Sequence, residues 1–107
     1  MKKKFIVKHN QDFEKIINEG KCKKNKSFII FSLKNELPYD KYGISVSKKL
    51  GNAVFRNKYK RIIRSILDNY KKLYINQKDY IIILRKDAID CDYELLTKEL
   101  FSLLNHN

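Results

Sequence analysis

The residues best suited to chemistry lie between positions 47 and 64, where seven basic side chains occur without an acidic one. Three of the four arginines in the chain stand here, at positions 56, 61 and 64, although the chain has 24 basic residues. A guanidinium group binds phosphate through two parallel hydrogen bonds, whereas the ammonium group of lysine acts as a point charge. The concentration of arginine in this stretch therefore indicates a surface that binds phosphate groups in a defined geometry.

Side chains able to cleave a phosphodiester are not grouped in the same way. A protein nuclease needs carboxylates that hold Mg²⁺, or histidines that act as acid and base. The acidic residues that stand near one another form two sets, one on a short predicted helix and one in a later loop: Asp12, Glu14 and Glu19, and Asp87, Asp90 and Asp92. Neither set has the spacing of a two-metal site, and His9 and His106 stand near opposite ends of the chain. We therefore expect no catalytic residue and no metal ligand in the protein.

The charge of the chain is strongly positive and unevenly distributed. The net charge is +12; residues 1–86 include 23 basic and 7 acidic residues, and residues 87–107 include 1 and 5. Such a positive field attracts polyanions such as nucleic acid. No apolar run approaches transmembrane length, and the one after residues 2–4 is too short for a signal peptide. We expect a cytoplasmic protein in which Cys22 and Cys91 are free thiols, because neither has the neighbouring ligands of a zinc site.

The elements that must position these residues fit a single domain over residues 1–107. Periodicity and composition predict helices at 11–19, 53 to about 73 and 92–104, and strands at 27–33, 42–47 and 79–85. The first strand region is long enough to be divided in two. Asn10 and Gly20 are predicted to cap the first helix, and residues 35–40, around Pro38, to form a hairpin loop. This order predicts an α+β fold, a two-layer sandwich of three helices on a mainly antiparallel sheet of about four strands.

The helix predicted from residue 53 separates apolar from basic residues. At about 100° per residue, one face holds Phe55, Tyr59, Ile62, Ile66, Tyr70 and Leu73, and the other holds Arg56, Asn57, Lys60, Arg61 and Arg64. Lys48 and Lys49 precede the helix, and Asn52 is a good N-cap. A solvated helix face usually mixes charges of both signs, yet no acidic residue occurs between Asp40 and Asp68. We therefore interpret the basic face as a binding site for nucleic-acid phosphate, with a solvated face as the alternative.

The same residues resemble the signature of the bacterial ribonuclease P protein component, the Arg-Asn-Arg motif family. Residues 43–54 read GISVSKKLGNAV, and residues 56–64 read RNKYKRIIR. They match the family pattern Ser-Lys-Lys-x-Gly-Asn-Ala followed by Arg-Asn-x-x-Lys-Arg-x-x-Arg. One departure is Lys58, which replaces the third residue of the name-giving triplet and faces away from the basic face on the helical wheel. The resemblance implies an α/β sandwich with a left-handed βαβ crossover, which is an exception to the usual right-handed rule.

The resemblance also implies two RNA-binding surfaces. The positions that match the family's contacts to the catalytic RNA are Lys49, Asn52, Arg56, Asn57, Lys60, Arg61 and Arg64. Lys48, next to them, is predicted to bind the same RNA. Positions that match its cleft for the single-stranded 5′ leader of precursor tRNA are Phe13, Ile17 and Phe31, and Ile17 replaces the usual aromatic residue. Phe13 and Phe31 are equally compatible with a role in the core. Ser45 and Ser47 are candidates for the same surface as these rings.

The implied function is that of the protein subunit of ribonuclease P, which binds the catalytic RNA and precursor tRNA and assists removal of the 5′ leader. In that family the RNA carries the chemistry, and the Mg²⁺ that the holoenzyme requires is expected mainly on RNA phosphates. No membrane or DNA partner is expected. The alternative is another RNA-binding protein, such as a ribosome-associated one, that uses the same kind of helix. A helix-turn-helix DNA reader is disfavoured because predicted strands precede the basic helix, and a stand-alone nuclease because the carboxylates are dispersed.

Overall fold

Within residues 1–105, which the structure describes, a four-stranded sheet organises the fold in the strand order β1-β2-β4-β3. The structure is a computed structural model. The strands are β1 (Lys21–Lys24), β2 (Phe28–Lys34), β3 (Lys41–Ser45) and β4 (Lys78–Leu84), and the α-helices are α1 (Asn10–Glu19), α2 (Ala53–Leu73) and α3 (Tyr93–Leu104). Strand β2 pairs antiparallel with both β1 and β4, whereas β3 pairs with β4 in parallel. The predicted α+β class is confirmed; the strand predicted at 27–33 is the undivided β2, whereas β1 precedes that region and was not predicted.

The ends of the first helix differ in how well the sequence predicted them. Helix α1 includes Asn10, so the prediction of Asn10 as N-cap is wrong; His9 takes that position without a side-chain cap hydrogen bond. Gly20 ends the helix as predicted, and its N–H donates to the carbonyl oxygen of Ile16 at 2.8 Å. A Cβ at Gly20 would collide with the carbonyl oxygens of Ile16 and Ser32. Glycine is therefore needed for the close approach of this helix end to β2.

Residues 35–40 do not form the predicted hairpin loop, because β4 lies between β2 and β3. The loop instead crosses the start of β4, where Asn35 Nδ2 donates to Asp79 Oδ1 at 2.8 Å. Pro38 and its polar neighbours mark a turn, but a turn signal does not say which strands pair across it. Strand β3 continues through α2 into its parallel neighbour β4, which makes a crossover unit. The left-handed sense of this crossover stays a prediction.

Different helices cover the two faces of the sheet. The larger buried cluster joins α2 and α3 to one face and includes Phe28, Ile30, Tyr42, Tyr80, Ile82, Ile63, Ile66, Leu67 and Leu100. On the other face, Val7, Ile16 and Ile81 form a smaller buried cluster beneath α1. The predicted sandwich of helices on a sheet therefore has α1 as a partial third layer. The face beneath α1 is only partly covered, because α1 is short.

The buried face of α2 is rotated from the face that the periodicity predicted. Its buried residues are Tyr59, Ile63, Ile66, Leu67 and Tyr70. Leu73, predicted to pack, is 68% exposed. At about 100° per residue, the centre of the buried face lies roughly 50° from the predicted one, in the direction of Arg56. This rotation brings the edge of the basic face into contact with the protein interior.

Buried polar groups join the end of α2 to the strands beside it. Asp40 is 3% exposed, and its carboxylate accepts the backbone N–H of Asn76 at 3.0 Å. The Asn76 side chain donates to the hydroxyl groups of Tyr70 and Tyr80, at 2.8 and 2.9 Å. The buried hydroxyl of Tyr42 makes no hydrogen bond of ordinary length with a described residue, although the Asp40 carboxylate is near enough to raise its pKa. Burial raises the pKa of Tyr42, Tyr70 and Tyr80 above the ordinary value of 10.0, and the nearby charge of Asp40 raises it further.

Three further expectations concern single residues or the whole chain. No helix within residues 1–105 has the length and apolar character required to cross a membrane. Cys22 and Cys91 are free, and His9 is exposed. His106 lies outside the described residues.

Candidate nucleic-acid interface

A short turn before α2 presents Lys48 and Lys49 to solvent. The hydroxyl oxygen of Ser47 accepts the backbone N–H of Lys49 at 3.1 Å, so this hydroxyl is used in the turn. Asn52 Oδ1 accepts the backbone N–H of Phe55 at 3.0 Å, which confirms Asn52 as the N-cap. The Asn52 side-chain amide still has two donors on its nitrogen. The two lysines and Asn52 are all exposed, and they lie together at the start of the helix.

Four of the predicted RNA-binding residues of α2 line one shallow cavity of about 630 Å³: Asn57, Lys60, Arg61 and Arg64. Each of these positions has others of the set three or four residues away, so they form one contiguous patch on the helix surface. Asn57, Arg61 and Arg64 are exposed, and Lys60 is half-buried. Lys58 is exposed but does not line the cavity, in agreement with its predicted position off the basic face. The surface presents two guanidinium forks, an ammonium group and an amide over about 10 Å of helix.

Arg56 lies at the edge of this surface rather than in the cavity. It is half-buried because the packing face of α2 is rotated toward it. Its Nε is buried and has no hydrogen-bond partner among the described residues. A buried donor without a partner costs about 1–3 kcal/mol. Because this atom is buried, a bound phosphate could reach it only if the Arg56 side chain moved; in the observed position Arg56 contributes its positive charge at the edge of the face.

The basic face has no acidic partner in the described part of the chain. The acidic residue that follows it on α2 is Asp68, which lies 3.9 Å from Lys71 Nζ and 3.5 Å from the Met1 amino group. Repulsion among Arg56, Lys60 and the neighbouring arginines is therefore not offset by ion pairs with other residues in the described part of the chain. An external polyanion would remove this repulsion without breaking an existing ion pair.

The face of the sheet under α1 contains the predicted cleft residues Phe13 and Phe31. Phe31 pairs with Ile81 and Ile81 with Gly43, so one row of side chains crosses three strands on this face. The ring of Phe13 lies above Gly43, where a Cβ would come within 2.7 Å of its Cζ atom. Both phenylalanines are half-buried and pack against the small cluster that contains Val7. Each ring thus contributes to a core and still has surface accessible to solvent.

The surface around these rings extends over residues that the sequence did not single out. Ile29 pairs with Ile83 and Ile83 with Ser45, and this second row is half-buried on the same face as Phe31. Ser45 therefore lies where it was expected, whereas Ile29 and Ile83 were missed. Long apolar runs such as those of β2 and β4 do not show which residues face which helix. Ile17 is exposed and lies outside the cluster under α1.

The described carboxylates do not converge on a metal site. Within residues 1–105, no group of three or more His, Cys, Asp or Glu residues could hold a metal ion. Asp92 instead caps α3, where its Oδ1 accepts the N–H of Leu95 at 2.9 Å. The basic face offers ammonium, guanidinium and amide groups, whereas Mg²⁺ prefers carboxylate and carbonyl oxygens. The residues of this surface therefore do not fit a magnesium ion held by the protein.

The chain is similar to ribonuclease P proteins along almost its whole length. A ribonuclease P family model matches residues 1–107. The ribonuclease P protein component of Mycoplasma capricolum is 48% identical over 105 residues, which cover 97% of this chain and 96% of that protein. The component from Bacillus cereus is 40% identical over 108 residues, with 100% and 94% covered. The solved RNase P protein of Staphylococcus aureus has a TM-score of 0.86 at 39% identity, with 94% and 93% covered. That of Thermotoga maritima has a TM-score of 0.84 at 32% identity, with 92% and 93% covered.

Proposed function

This chain belongs to the ribonuclease P protein family, and we propose that it is the protein subunit of a ribonuclease P that removes the 5′ leader of precursor tRNA. The observation that carries the proposal is the row formed by Asn57, Lys60, Arg61 and Arg64, which is concave and free of described ion pairs. A ribonucleoprotein subunit must bind a polyanion, and cations that neutralise phosphates release condensed counterions. The proposed function implies a cytoplasmic location, because bacterial tRNA precursors are processed in the cytoplasm.

In this proposal the protein binds and orients RNA, and the RNA subunit carries the catalytic chemistry. Arg61 and Arg64 form bidentate contacts with phosphates of the RNA subunit, and Asn57 adds both a donor and an acceptor. Arg56, which is half-buried, adds positive charge at the edge of the same face. Mg²⁺, if held by RNA phosphates, would supply the activation of water and the charge stabilisation that hydrolysis requires, and none of the protein residues named here would hold it. Positive charge on α2 reduces the repulsion between the phosphates that this arrangement brings together.

The partly covered sheet face beneath α1 is the proposed site for the single-stranded leader. Proteins bind single-stranded RNA by stacking bases on aromatic rings beside a positive groove. Phe13 and Phe31 supply rings with accessible surface. Lys24 pairs with Ile29 and therefore lies at the β1 end of the second row of this face, where it supplies positive charge.

The decisive test is reconstitution of the protein with a ribonuclease P RNA at low Mg²⁺ concentration. We expect the protein to stimulate leader removal from precursor tRNA above the rate of the RNA alone. A variant in which Arg61 and Arg64 are replaced by glutamine should stimulate leader removal less than the unmodified protein at the same concentration. No stimulation by the unmodified protein would refute the proposal. Leader removal by the protein without RNA would instead identify a stand-alone nuclease.

The leader site has a separate test in the variant Phe31→Ala. Loss of the ring should weaken binding of precursor tRNA to the reconstituted enzyme more than binding of mature tRNA, which has no leader. The ratio of the two affinities is informative because it does not depend on the fraction of folded protein. Leu95→Ala, on α3 and away from both surfaces, is the control and should leave the ratio unchanged. Equal losses for both tRNAs with Phe31→Ala would show that this ring serves the core alone.

A further inference from the structure

A second cavity, of about 650 Å³, lies beyond the C-terminal end of the basic face of α2. It is enclosed by the short 3-10 turn Lys3–Phe5, the loop before β3 and the last turn of α2. The rings of Phe5, Tyr39 and Tyr74 and the side chain of Ile75 line it. The volume is within the range of about 300–1,000 Å³ found for pockets that bind small organic groups. None of these residues belongs to the basic face or to the leader surface described above.

Lysine side chains make this cavity positive. Lys71 Nζ lies 3.8 Å from the ring centroid of Phe5, and Lys4 Nζ lies 5.0 Å from the same centroid. Two ammonium groups therefore converge on one ring, an arrangement that cation–π attraction supports but that leaves like charges close together. Asp68 opposes them at 3.9 Å from Lys71, whereas the buried Asp40 carboxylate is bonded to backbone N–H groups. The remaining positive charge suits an anionic group such as a phosphate.

The apolar side of the cavity has the properties of a stacking surface. Tyr74 packs against the buried Tyr70, with ring centroids 5.0 Å apart, and is itself 38% exposed. One side of the Tyr74 ring is thus supported by the core while another is open to solvent. Ile75, next to it, is 63% exposed and also lines the cavity. An unpaired base can pack against an aromatic ring and an aliphatic side chain, while neighbouring lysines bind its phosphate.

The cavity is continuous with the basic face of α2. Asp68 lines both the cavity beside Arg64 and the cavity beside Tyr74. On its other side, Lys4 and Tyr39 are shared with a smaller depression of about 220 Å³ that reaches the start of α1. A strand of RNA leaving the basic face toward the C-terminal end of α2 would therefore pass directly over the stacking surface.

We propose that this cavity binds an unpaired nucleotide of the ribonuclease P RNA subunit. The base packs against Tyr74 and Ile75, and the adjoining phosphate is held by Lys71 and Lys72. The RNA subunit, rather than precursor tRNA, is the occupant because the cavity continues the face of α2 that binds this subunit. The inference rests on the proposed function, to which it adds a base-stacking contact about three helical turns beyond Arg64.

The test uses photocrosslinking in the reconstituted enzyme with precursor tRNA bound. The photoreactive residue p-benzoylphenylalanine is placed separately at positions 54, 75 and 95, where the wild-type side chains are all exposed. Position 54, in the first turn of α2, reports on the proposed function itself, and position 95, on α3, is the negative control. We expect crosslinks to the RNA subunit from positions 54 and 75, and the crosslink from position 75 should map to an unpaired nucleotide.

The remaining outcomes separate the inference from the function. Crosslinks from position 54 without any from position 75 would overturn the inference and leave the proposed function intact. A crosslink from position 75 to precursor tRNA, to a base-paired segment or to a second protein chain would also overturn it. Absence of crosslinks from both positions, together with no stimulation of cleavage, would mean that the proposed function itself has failed.

Two substitutions separate stacking from charge at the same site. Tyr74→Phe should bind the RNA subunit as tightly as the wild type, whereas Tyr74→Leu should lose about 5- to 150-fold in affinity with an unchanged salt dependence. Lys72→Gln should instead reduce the salt slope by about one phosphate contact. Wild-type affinity for Tyr74→Leu, or an unchanged slope for Lys72→Gln, would contradict this arrangement.

Discussion

Replacing Arg61 and Arg64 together by glutamine should weaken binding of ribonuclease P RNA in a salt-dependent manner. Both side chains are exposed, line the same cavity and have no acidic partner among the described residues. Glutamine keeps part of the aliphatic stem and has a similar helix propensity, so the fold should be retained. Each phosphate contact contributes about −0.9 to the slope of log affinity against log salt concentration on a duplex. With two contacts, a rise in salt from about 50 to about 200 mM should cost the wild type about 12-fold more affinity than the double variant.

The assay is equilibrium binding to ribonuclease P RNA over this salt range, with the slope as the measured quantity. The matched control is Lys58→Gln, which removes one charge from the same helix at an exposed position outside the cavity. We expect its slope to remain close to that of the wild type. An unchanged slope in the double variant would mean that neither guanidinium group contacts phosphate. A similar slope change in Lys58→Gln would refute the division of α2 into an RNA face and other faces.

Three further predictions concern the core and the surface beneath α1. Asn76→Ala should lower the free energy of unfolding by about 1–3 kcal/mol because two tyrosine hydroxyls lose their donor. Tyr42→Phe should not lower it, because it removes a buried hydroxyl that makes no hydrogen bond with the described residues. Urea unfolding measures both, and equal losses would contradict this reading of the network. Burial raises the pKa of Tyr42 and Tyr80 in the folded protein, so the unfolded chain releases these protons first as the pH rises. The stability that each tyrosine contributes is fully present below about pH 10. Above that pH, the free energy of unfolding should fall by up to about 1.4 kcal/mol per pH unit for each group. If Tyr42→Phe loses stability with pH as steeply as the wild type does, this assignment is refuted. Gly43→Ala would place a methyl group 2.7 Å from Phe13 Cζ, so it should destabilise by about 1–3 kcal/mol and lower the preference for precursor over mature tRNA; unchanged values of both quantities would show that the ring is not confined there.

Local features of the sequence predicted the elements and the basic face well. Helix α2 spans the residues that its periodicity indicated, and Asn52 caps it through the hydrogen bond that its residue type favours. Lys60, Arg61 and Arg64 share one surface with Asn57 because residues three and four apart are neighbours on any α-helix. These properties depend on contacts within about two turns of the chain, which explains why the sequence suffices for them.

Long-range packing decided the rest, since it depends on partners that are distant in the chain. The turn at Pro38 was recognisable, but its neighbours gave no information that β4 would lie between β2 and β3. The periodicity of α2 defined an apolar side, while contact with the sheet and α3 chose a face roughly 50° away; Leu73 therefore became exposed. The same rotation left Arg56 half-buried, with an Nε that is buried and has no hydrogen-bond partner among the described residues.

The sequence by itself determined that one helix carries a concentrated set of phosphate-binding groups, because that information lies in the residue types and their helical spacing. Only the tertiary structure decided how the surface proposed for the leader is built, since Phe13, Phe31 and Gly43 come from three separate elements that meet through sheet pairing and helix docking. The tertiary structure also decided that Tyr74 and Ile75 line one cavity together with Lys4, which is about 70 residues earlier in the chain. Spacing along a helix follows from local geometry, whereas these contacts exist only after the apolar faces of distant elements have been buried together.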